Sequence, residues 1–358
     1  MRIQDGIKLD YKDVLIVPQR SEISSRSEVN LIREFKFKHA PEWQTLEGLG
    51  IIAANMDTVG TFKMADALGK HNMFTALHKH YSAKEMADYY LSNLSNYDRY
   101  FVTIGSSQKD FDKLVETQDI LYSIMADNID FPLMINLDVA NGFNIHFVKR
   151  LNKLREMFPE SIIMAGNVVG GSMTRELILN GADIVKIGLG SGSACLTRVV
   201  AGIGYPQLSA VNEAAYEAHG IGGLICADGG CTRVGDICKA MAAGADFVML
   251  GGLLSGTDEC NGEWELDEKG NKKALKFYGM SSKEANNKYN GGLKDYKAAE
   301  GKCISVPYKG SVEDVVREIK GGLASCCSYV GASRIKDLPK CASFVRVTQQ
   351  ENTIFGEK

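Results

Sequence analysis

Several features are missing from this sequence, and each absence excludes a class of protein. No apolar run approaches the length of a membrane-spanning helix, which needs about 20 residues. The net charge of −3 gives no excess of basic residues for binding a nucleic acid or an anionic membrane surface. The N-terminal stretch M-R-I-Q-D-G-I-K-L-D is interrupted by charges and contains no signal-peptide core. We therefore expect a cytoplasmic protein whose partners include neither a membrane nor a nucleic acid polymer.

The cysteines lack the spacing of a disulfide framework or of a structural zinc site. There are nine of them, an odd number, and they are scattered without a CxxC pair. Neither Cys226 with Cys231 nor the adjacent Cys326 and Cys327 has the spacing of structural zinc ligands. This distribution fits reduced thiols in the cytosol better than disulfides.

What the sequence does contain is an alternation of short apolar runs and helical segments. Runs that are apolar almost throughout, and rich in Ile, Val, Leu and Met, are typical of strands buried on both faces of a parallel sheet. Eight such runs occur: Gly50–Asn55, Met73–Leu77, Tyr100–Gly105, Leu133–Asp138, Ile162–Asn167, Asp183–Gly188, Gly223–Asp228 and Asp246–Gly251. Eight strand–helix units predict an α/β fold, the TIM (β/α)8 barrel. The alternative, a doubly wound open sheet, predicts fewer strands and a G-x-G-x-x-G turn after the first, a spacing that Gly188, Gly190 and Gly192 do not have.

We expect one barrel domain over residues 1–358 with two additions. Residues 1–48 are polar and irregular and are predicted to form an N-terminal arm. Residues 253–310 separate the eighth run from the next helical segment, Ser311–Leu323, and contain a charged, hairpin-like stretch. Long insertions in compact domains are usually functional or mobile. This one is predicted to form a flap over the C-terminal face of the barrel, where barrel enzymes carry out catalysis.

The loop Gly188–Arg198, which follows the sixth run, is the first candidate for chemistry. It reads G-L-G-S-G-S-A-C-L-T-R, and its glycines would let a ligand or an ion approach the backbone closely. Cys195, with Thr197 and Arg198 after it, has the setting of a nucleophile in polar, electropositive surroundings. A tight turn with a buried structural cysteine fits this loop equally well.

Other candidates lie where the predicted strands end. Barrels often bind phosphate in the loops after strands seven and eight, and Gly229-Gly230 and Gly251-Gly252 occupy those positions. We therefore favour a phosphorylated ligand. Asp138 ends the fourth run, a position that is more often functional than structural in this fold. His78 and His80 would project to one face of a strand as a possible metal pair, although no third ligand has matching spacing.

Together these motifs resemble the IMP dehydrogenase/GMP reductase family over almost the whole chain. The matching stretches include N-M-D-T-V-G (55–60), H-K-H-Y-S (78–82), L-D-V-A-N-G (137–142), A-G-N-V-V (165–169), the Cys195 loop (188–198), G-Y-P-Q-L-S-A-V (204–211), D-G-G-C-T-R-V-G-D (228–236), F-V-M-L-G-G (247–252), F-Y-G-M-S-S (277–282), E-G-K (300–302) and Y-V-G-A-S-R (329–334). Several of these are the reductase-like forms. No pair of CBS modules fits after the second strand, because Tyr81 leads directly into a helix and the third strand. The resemblance implies NADPH-dependent reductive deamination of GMP to IMP and ammonia, a reaction of purine salvage.

The resemblance also implies a mechanism, a set of contacts and an assembly. Cys195 would attack purine C2, Thr197 and Glu300 would supply the general acid, and hydride would reduce the covalent intermediate. Implied GMP contacts are Asp228, Gly229, Gly230, Gly251, Gly252, Gly279, Met280, Ser281, Lys297 and Gly301. Implied NADPH contacts are Ser25, Arg26, Lys79, Asp138, Val139, Ala140, Leu189, Gly190, Tyr296, Ser325, Cys326, Cys327 and Ser328. Carbonyl groups of Gly190, Gly192 and Cys195 would hold a monovalent cation, K⁺, and the family is typically a homotetramer.

Two departures from the family pattern stand out. Lys297 occupies the place of an arginine in animal relatives, and a lysine keeps the charge but loses the bidentate geometry. Ser191 and Leu196 replace the Pro and Thr that are commoner in close relatives, but they leave Cys195 and Thr197 unchanged.

Two alternative functions are considered, one from the same family and one from another functional class. An IMP dehydrogenase without CBS modules would need an Arg–Tyr pair on the flap, and residues 253–310 contain no arginine. A catalytically silent nucleotide-binding barrel would not need the intact set of Cys195, Thr197 and Glu300.

Overall fold

Eight parallel strands close into a barrel in the computed structural model, which describes residue 3, residues 5–125 and residues 132–348. In chain order the strands are β1 (Val14–Ile16), β2 (Arg33–Phe35), β3 (Leu46–Gly48), β4 (Ile51–Ala53), β5 (Phe74–Leu77), β6 (Tyr100–Ile104), β7 (Ile135–Asp138), β8 (Ile163–Val168), β9 (Ile184–Ile187), β10 (Leu224–Asp228), β11 (Phe247–Leu250), β12 (Trp264–Leu266), β13 (Lys272–Tyr278), β14 (Cys303–Pro307) and β15 (Phe344–Arg346). Strands β4 to β11 form the barrel, each paired in parallel with the next, and β11 closes the ring on β4. Each coincides with one of the eight predicted runs, although β8 continues one residue beyond its run, to Val168. The TIM barrel is therefore confirmed, and the open sheet is excluded.

Helices connect the barrel strands. In chain order they are α1 (Phe62–Gly69), α2 (Ala83–Ser92), α3 (Gln108–Met125), α4 (Ile145–Met157), α5 (Gly171–Leu179), α6 (Thr197–Val200), α7 (Gln207–His219), α8 (Val234–Ala242), α9 (Lys283–Tyr289), α10 (Val312–Val330) and α11 (Leu338–Cys341). Between β5 and β6 the chain forms only α2 and a short 3-10 segment, so no further domain is inserted there. Within the described ranges, no helix combines the length and the apolar character that crossing a membrane requires.

The helix boundaries follow their capping residues. Ser82 begins α2 in the predicted capping box, in which its hydroxyl accepts from the Glu85 N–H and Glu85 accepts from the Ser82 N–H. Helix α10 continues beyond the predicted end at Leu323, because Cys327 and Val330 extend its buried face. It ends at Gly331, whose φ of +75° is the left-handed conformation that glycine adopts most easily.

A packed aromatic cluster closes the N-terminal end of the barrel. Phe35 at the end of β2 stacks on Phe247 with ring centroids 4.3 Å apart, and it meets Phe74 edge to face at 6.3 Å. Phe74 and Phe247 are the first residues of β5 and β11, and all three rings are fully buried. The arm strands β2 and β3 therefore plug one end of the barrel. The cavity described below opens at the other end, where the strands terminate.

The insertion before α10 folds as a three-stranded antiparallel sheet with one helix. Strands β12 and β13 form the predicted hairpin, and β13 also pairs with β14. Helix α9 and strand β14 were not predicted. The boundaries assigned to the arm and to the insertion remain predictions. Met280 and Glu300 of the insertion line the cavity described below. The insertion therefore reaches the C-terminal ends of the barrel strands.

Candidate active site

A cavity of about 1040 Å³ opens at the C-terminal ends of the barrel strands. Its volume is at the upper limit of the range that is typical of small-molecule and cofactor sites. It is lined by most of the residues singled out from the sequence, namely Lys79, Asp138, Val139, Ala140, Leu189, Gly190, Gly192, Cys195, Thr197, Asp228, Gly229, Gly230, Gly251, Gly252, Gly279, Met280, Ser281, Glu300 and Gly301. Residues far apart in the sequence therefore meet in one space, as the barrel geometry requires.

A directed chain of hydrogen bonds runs from the candidate nucleophile to a carboxylate. The Cys195 thiol donates to the Thr197 hydroxyl, with 3.2 Å between Sγ and Oγ1. The Thr197 hydroxyl donates to Glu300 Oε2 at 2.8 Å. A thiol, a hydroxyl and a carboxylate in this order can pass a proton from sulfur to the carboxylate and back. The loop thus has the groups that nucleophilic chemistry needs, and Cys195 is only partly buried, unlike the structural cysteine of the alternative interpretation.

Backbone pairing brings Glu300 to this loop. Cys195 and Gly301 form an antiparallel β-bridge, and the Leu196 N–H donates to the Glu300 carbonyl at 2.6 Å. The loop itself is tightened by a hydrogen bond from the Cys195 N–H to the Gly192 carbonyl at 3.0 Å. Glu300 is therefore attached to the Cys195 loop by main-chain contacts as well as by its side chain.

A buried lysine joins two carboxylates behind the cavity. Lys186, in β9, has a side chain that is only 1% exposed. Its Nζ contacts Asp138 Oδ1 closely and lies 3.9 Å from Asp228 Oδ2. Asn167 donates its side-chain N–H to the same Asp228 oxygen at 2.8 Å. Lys186 therefore connects one predicted cofactor contact with one predicted substrate contact.

The charges of this group are set by competition between burial and ion pairing. Burial works against the charge on Lys186, but Asp138 and Asp228 outweigh it and raise the pKa of Lys186 above its usual value. Burial likewise disfavours ionised Asp138, yet the Lys186 charge and hydrogen bond lower the pKa of Asp138. For Asp228, burial dominates and raises the pKa. The lysine stays positive, and its charge compensates the Asp138 carboxylate more fully than the Asp228 carboxylate.

Sequence reasoning missed Lys186. It stands inside the apolar run D-I-V-K-I-G, in which a charged residue has no place unless it is paired. A search of the predicted strands for buried charges would have found it, since its partners Asp138 and Asp228 both end predicted strands on the same side of the barrel.

The glycine pair after β10 has backbone conformations that only glycine adopts easily. Gly229 and Gly230 have φ angles of +95° and +83°. A Cβ atom on Gly229 would lie 2.6 Å from the Ser191 hydroxyl oxygen, so a larger residue would push into the nucleophile loop. Main-chain groups after β10 are therefore open to a ligand, as the prediction of a phosphate site requires.

The two histidines after β5 are not arranged as a strand pair. The strand ends at Leu77, so His78 and His80 lie in the following loop and not on one strand face. His78 stacks on Tyr81 and His80 on Tyr289. Burial lowers the pKa of each histidine to about 4, which leaves both rings neutral at neutral pH. In the described part of the chain, no group of three or more His, Cys, Asp or Glu side chains could hold a metal ion.

Some predicted contacts lie away from the cavity. Lys297 and Tyr296 are exposed on the insertion, with the lysine Nζ 6.0 Å from the tyrosine ring centre. The turn that contains Arg26 lies against α10, the helix that carries the predicted serine–cysteine stretch. The residues that do not line the cavity are Ser25, Arg26, Tyr296, Lys297, Ser325, Cys326, Cys327 and Ser328. A single copy of the chain therefore does not bring the predicted cofactor contacts together.

Comparisons with known proteins show which family the chain is similar to. The family model described as the IMP dehydrogenase / GMP reductase domain matches residues 8–353. The GMP reductase of Yersinia pestis (strain Pestoides F) is 51% identical over 358 residues, which is 99% of this chain and 99% of the relative. The GMP reductase of Yersinia pseudotuberculosis serotype O:1b (strain IP 31758) is similar to the same extent, 51% over 99% of both chains.

Proposed function

The chain belongs to the IMP dehydrogenase/GMP reductase family, and from this premise we propose that it is a GMP reductase. It is an oxidoreductase of purine salvage that uses NADPH to convert GMP into IMP with release of ammonia. The observation that carries the proposal is the hydrogen-bonded set of Cys195, Thr197 and Glu300 inside a nucleotide-sized cavity. Such a set can both generate a nucleophile and protonate a leaving group, and this reaction needs both.

The first half of the reaction exchanges nitrogen for sulfur at purine C2. The proton of the Cys195 thiol moves through the Thr197 hydroxyl to Glu300, and the thiolate attacks C2. Glu300 then returns the proton through Thr197 to the amino group, which leaves as ammonia while the C2–S bond remains. A threonine hydroxyl alone is too weak an acid for this step, so Glu300 serves as the proton source behind it. The product is a covalent thioimidate.

The second half of the reaction reduces this intermediate. When bound, NADPH supplies the hydride that C2 accepts. The C2–S bond then breaks, Cys195 regains its thiolate, and IMP is released. The residues that would hold the cofactor in this cavity are Lys79, Asp138, Val139, Ala140, Leu189 and Gly190. They fit the task because they line the same space as Cys195.

GMP would occupy the remaining part of the cavity. The two glycine pairs after β10 and β11 would bind its phosphate through main-chain groups, and Asp228, Gly279, Met280, Ser281 and Gly301 would complete the contacts. Lys297 lies outside the cavity, so we assign it no direct contact with GMP.

A homotetramer in the cytoplasm is part of the proposal. Ser25 and Arg26 are exposed, Ser325, Cys326 and Ser328 are partly exposed, and none of them lines the cavity, whereas Cys327 is buried in the core. The exposed members form a patch in which the turn of Arg26 lies against α10. We propose that this patch completes the cofactor site of a neighbouring copy. A cofactor bound between two copies would explain why the two sets of predicted cofactor contacts lie in separate places on one chain.

A monovalent cation, K⁺, is proposed to stabilise the nucleophile loop. Carbonyl oxygens of Gly190, Gly192 and Cys195 would be its ligands. The donor set is suitable, because main-chain carbonyls are the oxygen ligands that such hard cations prefer. The Gly192 carbonyl already accepts the Cys195 N–H at 3.0 Å, and its second lone pair stays free for the cation.

Replacing Glu300 with glutamine is expected to slow ammonia release by at least about 100-fold, because the amide cannot donate the proton of a carboxylic acid. GMP affinity should change far less, since glutamine has the same shape. The measurement is the burst of ammonia in a single turnover, set beside the dissociation constant for GMP. Equal losses in the rate of ammonia release and in the affinity for GMP would argue against a role of Glu300 in proton transfer.

A paired assay distinguishes the reductase from the dehydrogenase. Purified protein with GMP and NADPH is expected to consume NADPH and to form IMP. The same protein with IMP and NAD⁺ is expected to form no NADH. The opposite pattern would identify a dehydrogenase, and inactivity in both directions would favour a silent nucleotide-binding barrel.

A further inference from the structure

Asp57 is not a reacting group, but it connects the barrel to the insertion. It follows Asn55 and Met56, which line the cavity after β4, and its own side chain is only 2% exposed. One of its oxygens, Oδ2, accepts three hydrogen bonds, from Tyr278 at 2.6 Å, Lys288 at 2.8 Å and Tyr289 at 2.5 Å. All three donors belong to the insertion. A single carboxylate oxygen of the barrel therefore binds two segments of the insertion, the end of β13 and the end of α9.

The three donors flank the part of the insertion that enters the cavity. Tyr278 ends β13 and directly precedes the cavity residues Gly279, Met280 and Ser281. Lys288 and Tyr289 are the last residues of α9, which begins just after those cavity residues. Asp57 thus holds the chain by hydrogen bonds both before and after the cavity residues Gly279, Met280 and Ser281.

The same contact limits where Glu300 can lie. Only residues 290–299 separate Tyr289 from Glu300, and most of them are exposed and make few contacts with the barrel. On its other side, Glu300 is held by the bridge between Gly301 and Cys195. We propose that Asp57 is a positioning residue that keeps the insertion closed on the barrel and so keeps Glu300 within reach of Thr197. This inference rests on the proposed function.

The charge of Asp57 makes it suited to this task. Burial disfavours the ionised form, but Lys288 and the hydroxyls of Tyr278 and Tyr289 outweigh it and lower the pKa of Asp57. Its other oxygen, Oδ1, is buried and has no hydrogen-bond partner among the residues that the structure describes. The carboxylate therefore depends on the insertion for its stabilisation. When the insertion lifts away, water must replace all three donors, so open and closed arrangements are distinct states.

The first test follows the insertion itself and needs no activity. In the intact protein, Asp57→Asn should increase the hydrogen-exchange rate of the α9 amides by about tenfold or more, because the charged acceptor is lost. Tyr289→Phe is the milder variant, since it removes one donor but keeps the ring that stacks on His80. Glu263→Gln is the matched control, because its exposed ion pair with Lys276 lies entirely within the insertion. The control should leave α9 exchange unchanged.

The second test asks whether Asp57 acts through Glu300. Misplacement of a catalytic group by about 1 Å can cost about 100-fold in rate, so we expect Asp57→Asn to lower kcat by about 10- to 100-fold. Added to Glu300→Gln, the same substitution should cause little further loss of kcat, because there is no longer a carboxylic acid to position. A residue with a merely structural role would give additive losses.

The outcomes separate the inference from the function on which it rests. Unchanged α9 exchange in both Asp57→Asn and Tyr289→Phe would overturn the positioning role, whatever the protein catalyses. Additive losses of kcat in the double variant would also overturn it. Faster exchange in a protein that does not reduce GMP would leave the contact established and refute the proposed function instead.

Discussion

Cys195→Ala is expected to lower the rate of GMP reduction by at least about 1000-fold and to abolish the covalent nucleotide adduct. The reason is chemical, because alanine has no atom that can attack C2, and the chain from Thr197 to Glu300 then has no proton to accept from sulfur. The adduct is measured by mass after the protein is incubated with GMP in the absence of NADPH and then denatured. Under these conditions the intermediate cannot be reduced and accumulates.

Cys303→Ala is the matched control for this experiment. Cys303 is an exposed free thiol on β14, and it does not line the cavity. Its loss should leave both the adduct and the rate unchanged. An adduct that persists in the Cys195 variant would place the nucleophile on another residue.

Lys186→Met is expected to lower the free energy of unfolding by about 3 kcal/mol. Removing one partner of a buried ion pair leaves the other charge uncompensated, which typically costs about 3 to 5 kcal/mol. The lower figure applies because the Asp138 side chain is 31% exposed to the cavity and keeps some contact with solvent. The measurement is denaturant unfolding at equal protein concentrations, since assembly also contributes to stability.

Two further variants make the Lys186 result specific. Lys276→Met removes a lysine whose side chain is 41% exposed, and it should change stability by less than about 1 kcal/mol. Adding Asp138→Asn to Lys186→Met should recover part of the loss, because it removes the uncompensated charge. If Lys186→Met is no less stable than the original protein, the lysine is not charged as the geometry requires.

The barrel could be predicted from the sequence because its signal is local. Each strand is a short run that is buried on both faces, so its residues are apolar almost throughout, and the runs recur with helices between them. The start of α2 was equally predictable, since the capping residues Ser82 and Glu85 are close together in the chain. Helix α10 was predicted too short because Gly321 and Gly322, and the small polar residues after them, weaken the helical pattern before the buried Cys327 and Val330.

The rest depends on contacts between distant residues. Glu300 reaches Thr197 across a separation of 103 residues, and Asp57 meets donors more than 220 residues further along the chain. No local pattern encodes such pairs, so the role of Glu300 came only from the family resemblance, and that of Asp57 was not foreseen. Predicted cofactor contacts such as Ser25 and Ser325 remain predictions, because a single copy does not bring them to the cavity.

The most direct test of the central claim is the product balance of one reaction. Purified protein with GMP and NADPH should form IMP, ammonia and NADP⁺ in equal amounts, each matching the GMP consumed, and the Cys195→Ala variant should form none of them. Oxidation of NADPH without ammonia, or unchanged GMP after prolonged incubation with the folded protein, would contradict the account.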